Sequence, residues 1–181
     1  MYRSSFLFIA VLLSCSVTVI AEDRLARIEQ SLEKSSSVEH VDINAVARGI
    51  ARQTNKPVLF DVRTLEEFEV SHLPGAIRLD PDTDPKTFLR DYGGLLEKER
   101  VIFYCSTGRR STELAEEVAE VLDSQGKEAK PANMKGGIFR WHNESLPLMN
   151  ATGTTDSVHP YNWFGKRLLH RKEKARYAPI E

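Results

Sequence analysis

The stretch Val101-Ile-Phe-Tyr-Cys105-Ser-Thr-Gly-Arg-Arg-Ser111 decides the fold. Its first four residues are all apolar, and an unbroken apolar run is typical of a strand that is buried on both faces of a parallel sheet. The polar, glycine-containing run after Tyr104 ends that strand. Cys105 is therefore predicted to lie at the carboxyl end of a buried strand.

A helix is predicted directly after this loop. Apolar residues recur at helical spacing from Leu114 to Leu122, and we expect Ser111 or Thr112 to be the N-cap. A short loop between a strand and a helix N-terminus presents unpaired backbone N–H groups and the positive end of the helix dipole. Such a loop favours the binding of an anion.

The same loop predicts a reactive thiol. Thiolates are favoured beside a helix N-terminus and next to arginines, here Arg109 and Arg110. The alternative is that Cys105 is a buried structural cysteine, since cysteine is among the most buried residue types. The polar residues Ser106 and Thr107 favour the first interpretation, a nucleophilic thiolate held by backbone amides.

Strands that alternate with helices along the chain indicate a parallel sheet with right-handed crossovers. Ligands of such sheets bind outside the carboxyl ends of the strands. Asp61 and Arg63 follow the apolar run 58–60, and Cys105 follows the run 101–104. All three residues are therefore expected on one rim of the sheet.

Three motifs together resemble the rhodanese-type sulfurtransferases. Cys105-x-x-Gly108-x-Arg110-Ser111 is similar to the active-site loop of that family. Two further segments fit it: Leu59-Phe-Asp61-Val-Arg63, with Glu67-Phe68 through His72-Leu-Pro74-Gly75-Ala76 after it, and Lys135-Gly136-Gly137-Ile-Phe-Arg-Trp141. The resemblance covers about residues 38–148. Three motifs in the family's order are far more specific than any one alone.

The resemblance implies a fold and a reaction. The fold is a three-layer α/β/α arrangement with a mostly parallel central sheet. The reaction moves a sulfane sulfur from thiosulfate or a similar small anionic donor to cyanide or a thiol acceptor through a persulfide on Cys105. Such covalent capture splits the transfer into two displacements.

The candidate site residues follow from this reaction. Cys105 is the nucleophile and Arg110 fixes the loop as a second catalytic residue. Asp61 is expected to pair with a loop arginine, and Arg63 to meet the substrate's oxyanion or to pair with Glu67. The residues assigned to substrate binding are Ser106, Thr107, Gly108, Arg109, Ser111 and Arg63.

Composition excludes several other classes of function. A chain of 181 residues with a formal net charge of -1 is not expected to bind nucleic acid through overall charge. Its five histidines are isolated from one another in sequence, and with one cysteine beyond the N-terminal segment they form no recognisable zinc spacing. We therefore expect no metal and no cofactor.

The first 21 residues are predicted to be a signal peptide. Arg3 supplies a positive region, an apolar run follows, and Val19-Ile20-Ala21 is a small-residue cleavage site. The mature protein is then periplasmic or secreted, and Cys105 is its only cysteine. Two alternatives place the protein at a membrane: an uncleaved signal, or lipidation of Cys15 in Leu12-Leu13-Ser14-Cys15, which resembles a bacterial lipobox.

The chain is predicted to divide into four parts: the signal peptide 1–21, a short helix and linker 22–37, the rhodanese-like domain 38–148, and a basic, aromatic C-terminal extension 149–181. Within the domain, Thr64-Leu-Glu-Glu67 has capping-box spacing and is predicted to start a short helix. We expect another helix to stop before Gly93-Gly94, and Pro131 to mark either an edge strand or an irregular approach to the last strand. The extension is interpreted as a solvated helix packed by its aromatic residues. The alternative is a docking surface for an acidic protein partner or phospholipid headgroups.

Two rival functions remain open at this point. Cysteine phosphatases and arsenate reductases resemble a Cys-x5-Arg pattern, but Ser111 stands six positions after Cys105. The arginines fall one and two positions earlier, so the loop is tighter and suits a sulfur atom better than a phosphate. The second rival is a non-catalytic sulfur carrier or docking module, because fold alone does not settle function.

Overall fold

A parallel sheet forms the centre of the protein. The computed structural model describes residues 24–52 and 54–179, so the predicted signal peptide and Cys15 lie outside the described residues. The central sheet has the strand order β1-β5-β4-β2-β3, with every neighbouring pair parallel. Its strands are β1 (His40–Val41), β2 (Val58–Asp61), β3 (Ile77–Arg78), β4 (Val101–Tyr104) and β5 (Ala132–Met134). A separate antiparallel hairpin consists of β6 (Leu148–Asn150) and β7 (Gly153–Thr155).

Helices cover both faces of this sheet. The helices of the described residues are α1 (residues 24–35), α2 (Ile43–Ile50), α3 (Leu65–Val70), α4 (Pro85–Leu96), α5 (Arg109–Ser124), α6 (Gly137–Asn143) and α7 (Trp163–Lys166), followed by a 3₁₀ turn at Lys172–Lys174. None of the helices in this part of the chain is long and apolar enough to cross a membrane.

Alternation along the central strand β4 separates two apolar cores. Val101 and Phe103 pack with α4 and α5, whereas Ile102 and Tyr104 pack with α2 and α6. All four residues are buried, as the apolar run predicts. The result is the expected three-layer α/β/α fold with a parallel central sheet.

The register of the sheet determines which residues meet at the carboxyl rim. Asp61 at the end of β2 is the partner of Tyr104 at the end of β4. Cys105 follows Tyr104 directly and therefore leaves the sheet between its two inner neighbours, β2 and β5. The predicted rim position of this cysteine is confirmed.

Of the two alternatives predicted at Pro131, the edge strand is wrong and the irregular approach is confirmed, since residues 127–131 have no regular structure. Strand β5 lies between β1 and β4, and β1 is the edge. Pro131 precedes the strand, so its missing N–H removes no bond from the ladder. Within the strand, the N–H of Asn133 donates to the Glu39 carbonyl at 2.8 Å.

Helix α4 also differs from its prediction. Asp84 is the N-cap, with Pro85 at the first helical position, and the helix continues through Gly93 and Gly94 to Leu96. The buried side chains of Phe88 and Leu96 hold both ends of the helix against the sheet. This packing outweighs the cost of about 1 kcal/mol that a glycine brings to a helix interior.

The N-terminal helix α1 packs against the domain. Leu25 is fully buried in the core cluster that also holds Ile138 and Trp141 of α6. Glu29 accepts two hydrogen bonds from Arg140, at 2.8 and 3.1 Å. The short helix predicted within 22–37 is therefore present over residues 24–35 and is docked onto the domain.

The C-terminal extension does not form the predicted solvated helix. Helix α7 has only four residues, and Tyr161, Trp163 and Phe164 are exposed. Gly165 approaches Phe139 and the carbonyl of Pro160 so closely that a Cβ atom there would collide with the carbonyl. The extension is thus packed closely against α6 at Gly165, while its aromatic side chains stay exposed.

Residues of α6 hold the extension in place. The Asn143 side chain donates to the Leu168 carbonyl and accepts from the N–H of His170, both at 2.9 Å. Nε2 of His142 lies 3.1 Å from the Asp156 carbonyl oxygen, which identifies Nε2 as the protonated nitrogen. The extension is thus a third packed segment rather than a tail.

We predict that His142 makes the stability of the protein depend on pH below neutrality. Burial, together with the charge of Arg171, lowers the pKa of His142 from 6.5 to about 4. Between these values the unfolded chain binds a proton that the folded protein does not bind, so the free energy of unfolding falls as pH falls from 6.5 to 4. The contribution is at most about 1.4 kcal/mol per pH unit.

Urea denaturation of the wild type and of His142→Gln at several pH values between 7 and 4 checks this. Glutamine keeps a hydrogen-bond donor for Asp156 but does not titrate. The stability advantage of the wild type over the variant is expected to shrink as the pH is lowered. Parallel pH profiles of the two proteins would contradict the prediction.

Candidate active site

Cys105 lies at the base of a cavity on the carboxyl rim of the sheet. The cavity has a volume of about 480 Å³. The side chain is only 1% exposed, and its Sγ accepts a hydrogen bond from the N–H of Gly108 at 3.2 Å. The thiol is therefore reached only through the cavity and is already held by a backbone amide.

Gly108 allows the loop to turn back on the sulfur. Its φ of 97° lies in the left-handed region, and a Cβ atom there would stand 3.2 Å from Nδ2 of Asn133. Helix α5 begins at Arg109, with Gly108 as N-cap, so the prediction of Ser111 or Thr112 as N-cap is wrong. Thr112 instead donates from its hydroxyl to the Gly108 carbonyl at 2.7 Å and closes the first turn.

Two backbone hydrogen bonds from α6 fix the direction of the loop peptides. The N–H of Ile138 donates to the Cys105 carbonyl at 2.9 Å, and the N–H of Phe139 donates to the Ser106 carbonyl at 3.0 Å. The C=O and N–H of a trans peptide point in opposite directions. The N–H groups of Ser106 and Thr107 therefore point away from α6.

Gly137 makes these two bonds possible. Its φ is 57°, and a Cβ atom at this position would collide with the carbonyl of Cys105 and with the backbone of Ser106. Only glycine brings the start of α6 this close to the loop. The Gly136-Gly137 pair in the sequence is thus part of the site, although neither residue lines the cavity.

Glu67 ties three elements of the site together. It is the N3 residue of the capping box that Thr64 forms at the start of α3, as predicted. The same carboxylate accepts from the Ser106 hydroxyl at 2.8 Å and from Nη2 of Arg110 at 3.1 and 3.2 Å. One side chain therefore links α3, the loop and the first turn of α5.

The charges of this cluster stabilise one another. Burial opposes ionisation of Glu67, but Arg110 and Arg63 together with the hydrogen bond from Ser106 lower its pKa below the ordinary value. Burial likewise opposes the charge of Arg110, yet the fields of Cys105 and Glu67 raise its pKa. Both groups are ionised at neutral pH.

Arg63 does not reach the cavity, contrary to its predicted role in substrate binding. Its side chain is fully buried and makes two hydrogen bonds with Asp61, at 2.7 and 2.6 Å, and one with the Ser71 carbonyl at 2.6 Å. The prediction that Asp61 pairs with a loop arginine is wrong for the same reason. Asp61 ends β2 and Arg63 lies two residues further on, so the two side chains form a buried ion pair at the carboxyl end of this strand.

Ser111, predicted to bind substrate, does not line the cavity either. Its side chain is buried, and its hydroxyl donates to Oδ1 of Asn133 at 2.7 Å. The Asn133 amide in turn lies 3.1 Å from Nδ1 of His40. Because α5 begins at least three residues earlier than predicted, Ser111 is already inside the helix and contacts Asn133 of strand β5.

The other predicted loop residues do line the cavity. These are Ser106, Thr107, Arg109 and Arg110, together with Cys105. Gly108 does not line the cavity, but its backbone N–H donates a hydrogen bond to Sγ of Cys105. The remaining lining residues come from α1, α6 and the extension: Arg24, Ile28, Phe139, Tyr161, Asn162, Phe164, Gly165, Arg167 and Leu168.

The cavity is positively charged. Among the described residues no histidine, aspartate or glutamate lines it, whereas four arginines do. Nor does the described part of the chain contain a group of three or more His, Cys, Asp or Glu residues that could hold a metal ion. The arrangement can therefore bind an anion next to a thiol, with stabilisation coming from backbone amides and guanidinium groups.

Most of the central domain matches a known family of protein domains. Residues 45–144, more than half of the chain, match the family model described as rhodanese-like domain. The chain belongs to the rhodanese-like domain family. This membership supports sulfur transfer in general terms.

Curated relatives of this rhodanese-like chain carry names from sulfur chemistry. It is 31% identical over 136 residues to an adenylyltransferase and sulfurtransferase of Pyricularia oryzae, covering 65% of this chain and 27% of the relative. It is 27% identical over 117 residues to a sulfurtransferase of Allochromatium vinosum, covering 64% of this chain and 99% of the relative. The chain spans about a quarter of the length of the first curated relatives that it matches.

A solved structure shares the rhodanese fold. The crystal structure of a thiosulfate sulfurtransferase of Pseudomonas aeruginosa superposes with a TM-score of 0.54 at 14% identity. The match covers 80% of this chain and 26% of that chain. At this identity the similarity establishes the fold alone.

Sequence reasoning missed two parts of the site. The capping-box pattern accounts for Glu67 as a residue that starts a helix, so the sequence did not indicate that its carboxylate also binds Ser106 and Arg110. The extension was placed outside the domain, yet Tyr161 stands next to the loop with its ring 5.1 Å from the Arg110 guanidinium. The available signal was the presence of aromatic residues in a basic segment, since aromatic rings and guanidinium groups attract one another.

We predict that Glu67→Gln destabilises the protein by about 1–3 kcal/mol at pH 7, because charged hydrogen bonds to Arg110 and Ser106 are lost. Glu67 has a lowered pKa in the folded state, so its contribution is full above the unfolded pKa of about 4.3 and is lost as pH falls through the folded pKa. Urea denaturation at pH 7 and in the acid range measures both effects.

Glu66→Gln is the matched control, since Glu66 lies on the same turn of α3 but is exposed. We expect this variant to change stability by less than about 0.5 kcal/mol. Equal effects of the two substitutions at pH 7 would show that Glu67 does not hold the loop.

Proposed function

We propose that this protein is a sulfurtransferase that carries a sulfane sulfur as a persulfide on Cys105. The observation that supports this most strongly is the contact between Sγ and the Gly108 amide, at 3.2 Å, within a cavity lined by arginines and without a carboxylate. A thiolate in that position is stabilised without a neighbouring base. The family membership supports the same chemistry.

The proposed first step is a displacement on sulfur. The Cys105 thiolate attacks the outer sulfur of thiosulfate, a new S–S bond forms, the S–S bond of the donor breaks, and sulfite leaves with the electron pair. The outer sulfur of the resulting persulfide carries the negative charge. The loop amides are suited to stabilise it, in the way that an oxyanion hole stabilises oxygen.

The second step returns the enzyme to its starting state. A cyanide or thiolate acceptor attacks the outer sulfur of the persulfide and forms thiocyanate or a new persulfide. The bond between the two sulfurs on Cys105 breaks, and the thiolate is restored. No oxidant or reductant is consumed in either step.

The arginines have different parts in this proposal. Arg110 acts as a positioning residue, because it is paired with Glu67 and lines the cavity with Cys105. Arg109 is exposed at the cavity and attracts the anionic donor. Asp61 and Arg63 have a structural role below the rim.

Phosphate ester hydrolysis is less well supported. The position six residues after Cys105 holds Ser111, whose hydroxyl is bonded to Asn133 and does not line the cavity. Arg110 is directed to Glu67. The loop therefore lacks the arginine that a Cys-x5-Arg enzyme uses to bind phosphate.

We also propose that the protein works outside the cytoplasm, in the periplasm or as a secreted protein. The motivation is the sequence of residues 1–21, with its charged start, apolar run and small-residue site at Ala21. An exported protein with one remaining cysteine has a free thiol, and Cys105 is free in the structure. Reactivity explains the presence of that thiol.

Incubation with thiosulfate followed by intact-mass measurement tests the proposed reaction. We expect the protein to gain one sulfur atom on Cys105 and to lose it on addition of cyanide. Cys105→Ser should gain no sulfur and keep the unfolding midpoint of the wild type, since serine is nearly isosteric. Turnover of thiosulfate by that variant would refute the nucleophile, and hydrolysis of a phosphate ester without a sulfur adduct would favour a phosphatase.

N-terminal sequencing of the full chain after expression in a bacterium tests the proposed export. We expect the soluble periplasmic product to begin at Glu22. Cys15→Ser is the control, and it should leave cleavage unchanged. A detergent-soluble product that begins at Cys15 and disappears in Cys15→Ser would instead establish lipidation, and an intact N-terminus in the cytoplasm would contradict export.

A further inference from the structure

The cavity above Cys105 is larger than an inorganic donor requires. Its volume is about 480 Å³, whereas thiosulfate is a compact ion of a few atoms. Cavities of roughly 300–1,000 Å³ are typical of sites for organic ligands. The unused space lies between the loop and the two flanking segments of the chain.

The walls of this space are apolar and aromatic. Ile28 of α1, Phe139 of α6 and Leu168 of the extension line it. Phe164 stands at the mouth and is 70% exposed, the most exposed large apolar side chain of the described residues. An exposed phenylalanine beside a reactive thiol is suited to the carbon skeleton of a bound molecule.

Three guanidinium groups around the space keep their charge available. Arg110 is neutralised by Glu67, but the ion pairs of the described residues do not include Arg24, Arg109 or Arg167. Arg167 is held at the mouth because its guanidinium lies 3.7 Å from the centre of the Trp163 ring. The site thus combines apolar walls with unpaired positive charge.

Most of these groups belong to the parts of the chain that flank the family domain. The match to the rhodanese-like domain spans residues 45–144, and more than half of the lining residues fall before or after it. The loop that holds the thiol is a family feature. Apart from Phe139 and Arg109, the apolar walls and the available charges of the cavity come from α1 and the extension.

We propose that the thiol that takes sulfur from Cys105 is an amphipathic organic anion. Its carbon skeleton packs against Phe164, Phe139 and Ile28, and its carboxylate or phosphate pairs with Arg167 or Arg24. This inference rests on the proposed function, because it identifies the acceptor of the same persulfide. A small neutral thiol fits the reaction but uses none of these contacts.

The transfer itself needs no further reagent. The acceptor thiolate attacks the outer sulfur of the Cys105 persulfide, and a bond forms between those two sulfurs. The S–S bond on Cys105 breaks, and its electron pair stays on Cys105 as the thiolate. The product is the persulfide anion of the acceptor.

Single-turnover unloading isolates this step. The full protein is loaded with thiosulfate, freed of donor, and mixed with one of four thiols, while intact mass follows the loss of the added sulfur. The thiols are mercaptophenylacetate, with an aryl ring and a carboxylate; thiocresol, with the ring alone; mercaptopropionate, with the carboxylate alone; and mercaptoethanol, with neither.

Phe164→Ala tests the apolar part of the proposed acceptor site, and Arg167→Gln tests its charged part. We expect each substitution to lower the unloading rate constant for mercaptophenylacetate about tenfold, from lost apolar contact and lost charge pairing respectively. For mercaptoethanol the change should stay within about twofold. Each ratio compares two proteins with the same thiol, so the intrinsic nucleophilicity of the thiol cancels.

Two matched controls lie away from the cavity. Tyr177→Ala removes another exposed aromatic residue of the extension, and Arg90→Gln removes an exposed arginine of α4. Both should leave all four unloading rates unchanged. Phe164 is exposed, so its truncation should not unfold the protein, and the unfolding midpoint checks this.

A binding measurement keeps the inference testable apart from sulfur transfer. Tolylacetate has the aryl ring and carboxylate but no thiol, and its binding is followed by the emission of Trp163, whose ring centre lies 5.2 Å from that of Phe164. Trp163→Phe identifies the signal, since the other tryptophan, Trp141, is buried. We expect saturable binding that weakens in Phe164→Ala and Arg167→Gln.

The outcomes separate the two proposals. If thiosulfate never loads Cys105, the proposed function fails, and the tolylacetate measurement alone supports or overturns the organic-anion site. If Cys105 loads but mercaptophenylacetate responds to neither substitution, the proposed function stands and this inference is overturned. Absence of saturable tolylacetate binding would overturn it as well.

Discussion

The site depends on two hydrogen bonds from the start of α6 to the loop after β4. The amides of Ile138 and Phe139 hold the carbonyl oxygens of Cys105 and Ser106. With these oxygens fixed, the loop amides cannot rotate away, and the Gly108 N–H stays on the sulfur. The collision that a side chain at Gly137 would cause shows how closely the two backbones approach. The direction of the loop amides around the sulfur is therefore set by the backbone, which is the preorganisation that the proposed anion stabilisation requires.

Glu67 explains why this preorganisation is compatible with a strongly basic loop. Its buried carboxylate pairs with Arg110 and accepts a hydrogen bond from the Ser106 hydroxyl, so both side chains are fixed where they line the cavity. Breaking such a partly buried pair leaves an uncompensated charge, which costs more than the pair itself contributes. The remaining arginines at the cavity are then free to act on what enters from solvent.

The sequence predicted the features that local pattern determines. The apolar run 101–104, the turn into α5 and the capping box at Thr64 depend on nearest neighbours, and each is present. Tertiary contacts determine the other features. The buried side chains of Phe88 and Leu96 stabilise α4 although the helix contains two glycines. Strand β5 lies inside the sheet because its hydrogen-bond partners are distant in sequence. The role of the extension could not be predicted, since exposed aromatics look the same on a tail and at a cavity mouth.

The two ends of the described chain meet over one thiol: α1 and the extension both contribute walls to the cavity of Cys105. Under the proposed function, the loop that carries sulfur and the walls proposed to bind the acceptor therefore lie largely in different stretches of the chain. An exchange of the flanking segments would then change which acceptor is bound and leave the nucleophile and its loop untouched. In that case selectivity diverges at the ends of the chain while the reaction is retained.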